Sequence, residues 1–218
     1  MDKKACHPQD LSLKEIYDKL YSFYGPQYWW PGETSFEISV GAILTQNTNW
    51  INVEKAIDNL RSNGVLNAKA IHELYLTELA SLIRPSGYYN LKAKRLMAFI
   101  DFLMDNYGGS MARMRKGETE ALRKELLAVN GIGQETADSI LLYALDKPVF
   151  VIDAYTRRVL SRHGSMEIAA SYQAYQKIFH RAFAEDVRLF NEYHALLVRL
   201  GKDYCRPRPR CPECPLAK

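Results

Sequence analysis

The sequence of 218 residues predicts an all-α protein. Apolar residues recur at the i, i+3, i+4, i+7 spacing of a buried helix face along nearly the whole chain. Capping residues precede these segments and glycines follow many of them, as helix start and stop signals do. The one β-like run, residues 149–152, has no convincing partner strand. It therefore leaves the fold class unchanged.

The first helices are predicted from their caps. Ser12 and Glu15 form a capping box before a helix that ends near Gly25, and Thr34 and Glu37 form a second one. The next apolar pattern runs through residues 53–60 and stops at 63–64. Asn67 is then expected to cap one helix up to residues 85–87, and Asn90 to cap another that ends at 108–109.

Later helices follow the same pattern. Apolar stripes at 122–129 and 137–144 meet at a short glycine-containing turn. A helical stretch follows at 154–162, and two more helices cover 175–183 and 190–200. No repeat, low-complexity tract or long linker interrupts the chain.

Composition leaves several classes of protein open. Hydrophobic residues make up 47% and charged residues 25%, as in ordinary globular proteins. No apolar run reaches the roughly 18 to 20 residues of a membrane helix, and the N-terminal sequence lacks a signal-peptide h-region. A cytoplasmic protein is the expectation. The net charge of +4 permits a polyanionic partner without requiring one.

The turn between the two stripes is a candidate anion site. Asn130, Gly131, Ile132 and Gly133 precede a helix N-terminus that carries Thr136. Backbone N–H groups and the helix dipole favour phosphate there, and glycine lets the backbone come close. A plain helix–helix turn with a glycine C-cap is the competing interpretation.

A lone acid closes the β-like run. Asp153 precedes the stretch 154–162 and is suited to cap it. A fixed carboxylate can also stabilise positive charge that develops during a reaction. From the residue alone, the N-cap interpretation is the simpler one.

The C-terminal tail collects cysteines and arginines. Three of the four cysteines, Cys205, Cys211 and Cys214, fall within ten residues, which without a signal peptide favours a metal site over disulfides. Three arginines are interleaved with them and suit contact with phosphates: Arg206, Arg208 and Arg210.

Several motifs in order resemble one family. The segments 129–137, 151–153 and 41–48, with the cysteine tail, resemble the helix-hairpin-helix (HhH-GPD) DNA glycosylases, nearest the endonuclease III branch. Segments 29–31, 44–48 and 84–90 look most like its 3-methyladenine DNA glycosylases. The resemblance implies a bilobed fold, with a six-helix barrel at 36–145. Residues 1–35 and 146–218 would form a second helical domain, with the cysteine loop at 205–214.

The resemblance also implies a function. A monomer would act on double-stranded DNA at a bacterial nucleoid, flip out a damaged base and hydrolyse its N-glycosidic bond. Asp153 matches the catalytic aspartate, and Gln46 matches the residue that fills the gap left by the flipped nucleotide. The base would lie among aromatic side chains and one acid, namely Trp29, Trp30, Trp50 and Glu135.

Glu135 divides the functional possibilities. It stands where endonuclease III has the lysine that attacks the sugar, and a carboxylate cannot form an imine. We therefore expect a monofunctional enzyme without lyase activity, whose substrate is an alkylated purine such as 3-methyladenine. The alternatives are an adenine mismatch glycosylase, a bifunctional endonuclease III-type enzyme and a non-catalytic DNA-structure binder.

The cofactor expected from the resemblance is a [4Fe–4S] cluster on Cys205, Cys211 and Cys214. The family's fourth cysteine would lie beyond Lys218, the last residue of the sequence. Cys6 is one substitute. A three-cysteine zinc site and a metal-free tail are further possibilities.

Overall fold

The all-α prediction is confirmed. A computed structural model describes residues 11–163 and 165–217, and within those residues the chain forms helices and loops without a strand. The apolar run at 149–152 is buried and extended, but within the described residues it pairs with no other strand. The same described residues contain no helix with the length and apolar character that crossing a membrane requires.

Two compact units divide the chain. One spans Trp30–Lys147, and the other joins the described residues up to Trp29 with those from Pro148 onward. The assignment of a barrel domain to 36–145 and of a second domain to both termini stays a prediction.

The unit Trp30–Lys147 contains eight α-helices, a 3₁₀ turn at Arg84–Ser86 and a π-helical turn at Ile140–Ala144 that continues the last helix. In chain order the α-helices are α2 (Ser35–Leu44), α3 (Trp50–Ser62), α4 (Ala68–His72), α5 (Leu76–Leu82), α6 (Tyr89–Tyr107), α7 (Met111–Met114), α8 (Thr119–Ala128) and α9 (Gln134–Ser139).

The unit of the termini contains four α-helices among its described residues. They are α1 (Leu13–Tyr24), α10 (Ala154–Arg162), α11 (Tyr172–Ala182) and α12 (Val187–Asp203). Two 3₁₀ turns follow, at Cys211–Glu213 and Pro215–Ala217. Its core is aromatic: the ring of Phe150 stacks on Phe179 with the centroids 3.5 Å apart.

The predicted caps are only partly correct. Ser12 and Glu15 form the full capping box of α1. Thr34 accepts the Glu37 amide at 3.1 Å, but the Glu37 carboxylate turns to the Arg61 guanidinium at 2.8 Å. Glu37 is buried, and a buried carboxylate is stabilised more by a cationic partner than by an amide. A long-range ion pair thus replaces half of the predicted box.

Two helix boundaries were wrong. The single helix expected after Asn67 is split into α4 and α5, and α5 begins where the Glu78 carboxylate accepts the Tyr75 amide at 3.1 Å. Asn90 does not cap α6, which starts at Tyr89 after a left-handed Tyr88 with φ +46°. Tyrosine is not a usual capping residue, so the sequence rules pass over both starts.

A buried lysine joins three segments of this unit. The Lys92 ammonium on α6 donates to the carbonyls of Leu44 and Ser86, both at 2.7 Å. It therefore holds the end of α2 and the 3₁₀ turn against α6. Burial lowers the pKa of Lys92 to about 8, and the nearby charge of Arg95 adds to this.

We expect the stability advantage of the wild-type protein over Lys92→Met to grow as the pH rises from about 8 toward 10.5. In that range the unfolded chain binds more protons at Lys92 than the folded one, so the free energy of unfolding rises with pH by ~1–3 kcal/mol. Chemical denaturation of both proteins across this range measures it. An equal pH dependence in the two proteins would contradict the lowered pKa.

Candidate functional site

The hairpin between α8 and α9 has the predicted form. Helix α8 ends at Ala128 with Val129 as its C-cap, and α9 begins at Gln134 with Gly133 as its N-cap. Gly131 has φ +86°, a left-handed conformation that favours glycine. Ile132 is buried and anchors the turn, whereas Gly133 is exposed. The hairpin thus presents its backbone to solvent at the N-terminus of α9, where an anion is favoured.

Gln46 is bonded to the hairpin. Its Nε2 donates to the Gly131 carbonyl at 3.1 Å and to Thr136 Oγ1 at 3.0 Å, while its Oε1 accepts from Arg95 Nη1 at 2.5 Å. Gln46 is half-buried and so is more than an exposed turn residue. Its role in filling a nucleotide gap stays a prediction and would require these bonds to open.

Arg95 was not predicted as a site residue from the sequence, but its side chain packs against the hairpin. A Cβ added to Gly131 would lie 2.2 Å from Arg95 Cγ and 2.7 Å from Cδ. The glycine therefore lets the backbone pass directly against the arginine stem. Nothing in the local pattern of α6 marks Arg95, because its partners lie far away along the chain.

Trp30, Trp50 and Tyr143 form an aromatic cluster. The rings of Trp30 and Trp50 meet edge to face at 5.3 Å, and Tyr143 lies 5.1 Å from Trp30. Gly41 leaves room for them, since a Cβ there would lie 3.3 Å from Trp30 Nε1. Tyr143 lies on the π-helical turn that follows α9. In the sequence pattern it is only one more apolar position of the helix.

Trp29 makes a different contact from its neighbour. It belongs to the unit of the termini, where the Lys202 ammonium lies 5.7 Å from its ring centroid. The structure thus brings together Trp30 and Trp50 of the proposed base pocket, while the part of Trp29 in that pocket stays a prediction. Glu135, in the first turn of α9, is exposed.

An acidic cavity adjoins Trp50. The indole Nε1 of Trp50 donates to Glu54 at 2.6 Å. Four carboxylates and a single guanidinium line the cavity, so its field favours a cation. Its lining is Pro31, Gly32, Glu33, Glu37, Trp50, Glu54, Ile57, Asp58 and Arg61.

Asp153 caps α10, as predicted. Its Oδ1 accepts the Thr156 amide at 2.7 Å, and the residue is 8% exposed. Its Oδ2 lies 3.6 Å from Nε2 of His194, a residue that the sequence analysis missed. Burial lowers the pKa of His194, and the neighbouring Asp153 carboxylate opposes this shift. The catalytic role of Asp153 stays a prediction.

The three tail cysteines border one pocket. Cys205 and Cys214 are buried and Cys211 is half-buried, and all three thiols are free. Arg162 Nη1 donates to Cys205 Sγ at 3.4 Å. Burial raises the pKa of the Cys214 thiol.

Within residues 11–163 and 165–217, no group of three Cys, His, Asp or Glu side chains is drawn together around a metal position. The [4Fe–4S] cluster therefore stays a prediction, and Cys6 lies outside the described residues. The tail arginines are exposed, as contact with phosphate requires: Arg206, Arg208 and Arg210.

The comparisons with known proteins agree on one protein family. A family model for HhH-GPD superfamily base excision DNA repair proteins matches residues 40–185. A Methanocaldococcus jannaschii protein, provisionally named a DNA repair glycosylase, is 49% identical over 206 residues, covering 94% of this chain and 93% of that protein. Endonuclease III of Thermotoga maritima is 27% identical over 190 residues, covering 82% and 79%.

Solved structures agree with the fold. The 3-methyladenine DNA glycosylase of H. pylori, solved with 1,N6-ethenoadenine, superimposes with a TM-score of 0.77 at 30% identity and covers 88% of this chain and 98% of that one. A non-covalent endonuclease III–DNA complex gives a TM-score of 0.80, covering 94% of both chains. At 22% identity, the endonuclease III complex supports the assignment of the fold alone.

We expect Gly131→Ala to destabilise the protein by ~1–3 kcal/mol, because the methyl group meets the Arg95 stem and the backbone keeps a left-handed φ. The matched control is Gly133→Ala, whose Cβ meets nothing within 4 Å and whose φ is −90°. Its cost should stay within about 1 kcal/mol. Denaturant midpoints measure both, and equal shifts would contradict the close approach.

Proposed function

This chain belongs to the HhH-GPD superfamily of base excision DNA repair proteins, and we propose that it is a monofunctional glycosylase for alkylated purines. The chain is a DNA glycosylase of that family. The proposed reaction releases a 3-methyladenine-like base from double-stranded DNA by hydrolysis and leaves the abasic site uncut.

Glu135 carries the proposal of monofunctional action. It occupies the first turn of α9, directly after the hairpin, and is exposed. A lysine amine at this position would attack the sugar carbon and form a Schiff base, which permits strand cleavage. A carboxylate has no such route. Water is then the nucleophile, and the reaction ends at the abasic site.

Asp153 is proposed to stabilise the sugar as the bond breaks. The N-glycosidic electron pair leaves with the base, so positive charge grows on the sugar. A carboxylate held in place needs no reorganisation to oppose that charge. The Thr156 amide fixes Oδ1 of Asp153 at 2.7 Å, which gives the carboxylate one orientation. The attacking water forms the new C–O bond and passes its proton to Asp153 or to solvent.

The substrate class follows from charge and aromatic surface. An N3-alkylated purine is a cation, and a cation over an aromatic face gains roughly 0.5–2 kcal/mol. The cluster of Trp30, Trp50 and Tyr143 offers such faces, and the carboxylates near Trp50 favour a cation further. A cationic base leaves as a neutral molecule, so no strong general acid is needed. The H. pylori relative, solved with 1,N6-ethenoadenine, supports an alkylated adenine.

DNA is proposed to be held through its phosphates. The backbone of residues 130–133 and Thr136 would grip one strand at the N-terminus of α9. The arginines of the tail would add contacts that carry no sequence information. Gln46 would move from the hairpin into the gap left by the flipped nucleotide. Binding should therefore weaken steeply as salt rises.

A panel of duplexes separates the alternatives. Each duplex carries 3-methyladenine, 1,N6-ethenoadenine, thymine glycol or adenine opposite 8-oxoguanine, and both free base and strand breaks are measured with and without alkali. Release of the alkylated adenines with breaks only after alkali supports the proposal. Release of mismatched adenine would favour the mismatch enzyme, and release from no duplex would favour a DNA-structure binder.

We expect Asp153→Asn to slow base release by at least ~10²- to 10³-fold while duplex binding persists. Asparagine caps a helix about as well as aspartate, so folding should be preserved. The matched control is Asp186→Asn, because Asp186 caps α12 through the amides of Arg188 and Leu189. Single-turnover kinetics measure release. An unchanged rate in Asp153→Asn would remove Asp153 from the mechanism.

A second variant tests the nucleophile position. Glu135→Lys should gain strand cleavage and a DNA–protein crosslink that borohydride traps, because reduction fixes a Schiff base. Gln134→Lys is the control, since it adds the same charge one residue earlier. Strand breaks by the wild-type enzyme without alkali would overturn the assignment of Glu135. Equal crosslinks in both variants would show that position 135 has no special access.

A further inference from the structure

An arginine without a carboxylate partner lies beside the hairpin. Arg95 on α6 is half-buried, and its guanidinium donates to a neutral acceptor, Gln46 Oε1, at 2.5 Å. Within the part of the chain that the structure describes, no carboxylate lies at ion-pair distance from Arg95. Arg123 of the same unit shows the usual arrangement, since its half-buried guanidinium bonds to both oxygens of Asp138, at 2.7 and 3.1 Å. The described residues therefore leave the charge of Arg95 uncompensated.

A second cation close to Arg95 also bonds to neutral groups. The Lys92 ammonium, one turn earlier on α6, donates to the carbonyls of Leu44 and Ser86, and no described carboxylate pairs with it. The charge of Arg95 adds to the burial that lowers the pKa of Lys92, so the two cations repel each other. An anion bound at Arg95 would relieve this repulsion and would also compensate the guanidinium.

The stem of Arg95 packs directly on the hairpin backbone. A Cβ added to Gly131 would lie 2.2 Å from Arg95 Cγ and 3.0 Å from Nε, so the guanidinium begins beside this backbone. Both residues belong to the unit Trp30–Lys147. A phosphate that approaches the hairpin backbone therefore also approaches the guanidinium of Arg95.

We propose that Arg95 binds a phosphate of the DNA backbone, and that its guanidinium passes to this phosphate from Gln46 when Gln46 moves into the nucleotide gap. The inference rests on the proposed function, which places DNA at the hairpin and Gln46 in the gap. Gln46 Oε1 is the acceptor of Arg95 in the structure, and it leaves with the Gln46 side chain. A phosphate offers two charged oxygens in the geometry that a planar guanidinium binds best. Arg95 thus gains a stronger partner than it gives up, which favours the release of Gln46.

Equilibrium binding of the full-length protein to DNA tests this contact. The probe is a duplex with a tetrahydrofuran abasic analogue, which leaves a gap but no base to release, and affinity is measured between about 50 and 200 mM salt. Arg95→Met keeps an apolar stem against Gly131 and removes the charge. It should weaken binding ~10- to 100-fold and lower the salt slope by ~0.9, the value of one phosphate contact. Arg95→Lys should keep the slope, because lysine also neutralises a phosphate.

Two controls separate a phosphate contact from other roles of Arg95. Lys94 is its exposed neighbour on α6, so Lys94→Met removes one positive charge and should leave the salt slope unchanged. The second control repeats Arg95→Met in a Gln46→Ala background, where the slope should again fall by ~0.9. If Arg95 acted only by holding Gln46, its loss would change nothing in that background. Thermal unfolding confirms that each variant is folded.

Three results would overturn the inference. They are an unchanged salt slope in folded Arg95→Met, a fall of the slope only where Gln46 is intact, and an equal fall in Lys94→Met. Base release from damaged duplexes is measured separately, with the protein at saturating concentration. Wild-type protein that shows the Arg95 contribution to the salt slope but releases no base would refute the proposed activity and leave the phosphate contact standing. Base release together with an unchanged slope in Arg95→Met would refute the contact alone.

Discussion

One turn of α6 holds the hairpin in place. Lys92 and Arg95 share a helix face, and they bond to neighbouring positions of one segment: Lys92 to the Leu44 carbonyl and Arg95 to the Gln46 side chain. Gln46 in turn bonds to the Gly131 carbonyl at 3.1 Å. One relay of side-chain bonds, from Arg95 through Gln46, therefore reaches the hairpin backbone, while Lys92 fixes the helix end that precedes Gln46. Such a network tolerates little change, because losing one member leaves another buried polar group unsatisfied.

Local patterns predicted the helices and the residues whose chemistry is local. The cap of α10 by Asp153 follows from an acid before a helical stretch. The break before α5 did not, because its Tyr75 start depends on an unusual cap. Tyr143 and His194 were hidden for another reason. Each sits at an apolar helix position, and only its distant partners distinguish it from ordinary core.

Asp153 illustrates how a fold can hold a buried carboxylate in one orientation. Burying a charge is costly unless it is hydrogen-bonded, and the helix N-terminus offers both an amide and a favourable dipole. Beside the second oxygen, burial lowers the pKa of His194 and so disfavours its cationic form. A cationic histidine there would cancel the negative charge that the proposed mechanism needs.

The distribution of charge explains more than the net value of +4. Carboxylates gather beside Trp50, whereas exposed arginines crowd the cysteine tail. Phosphate contacts bind every DNA sequence alike, so the proposed arginine contacts would give affinity without selection. To select a cationic base over a neutral one, the site needs negative charge near the aromatic rings, opposite in sign to the charge of the arginines. Under the proposed function, this acidic surface, which would disfavour DNA in a protein that only binds it, would separate cationic damaged purines from normal ones.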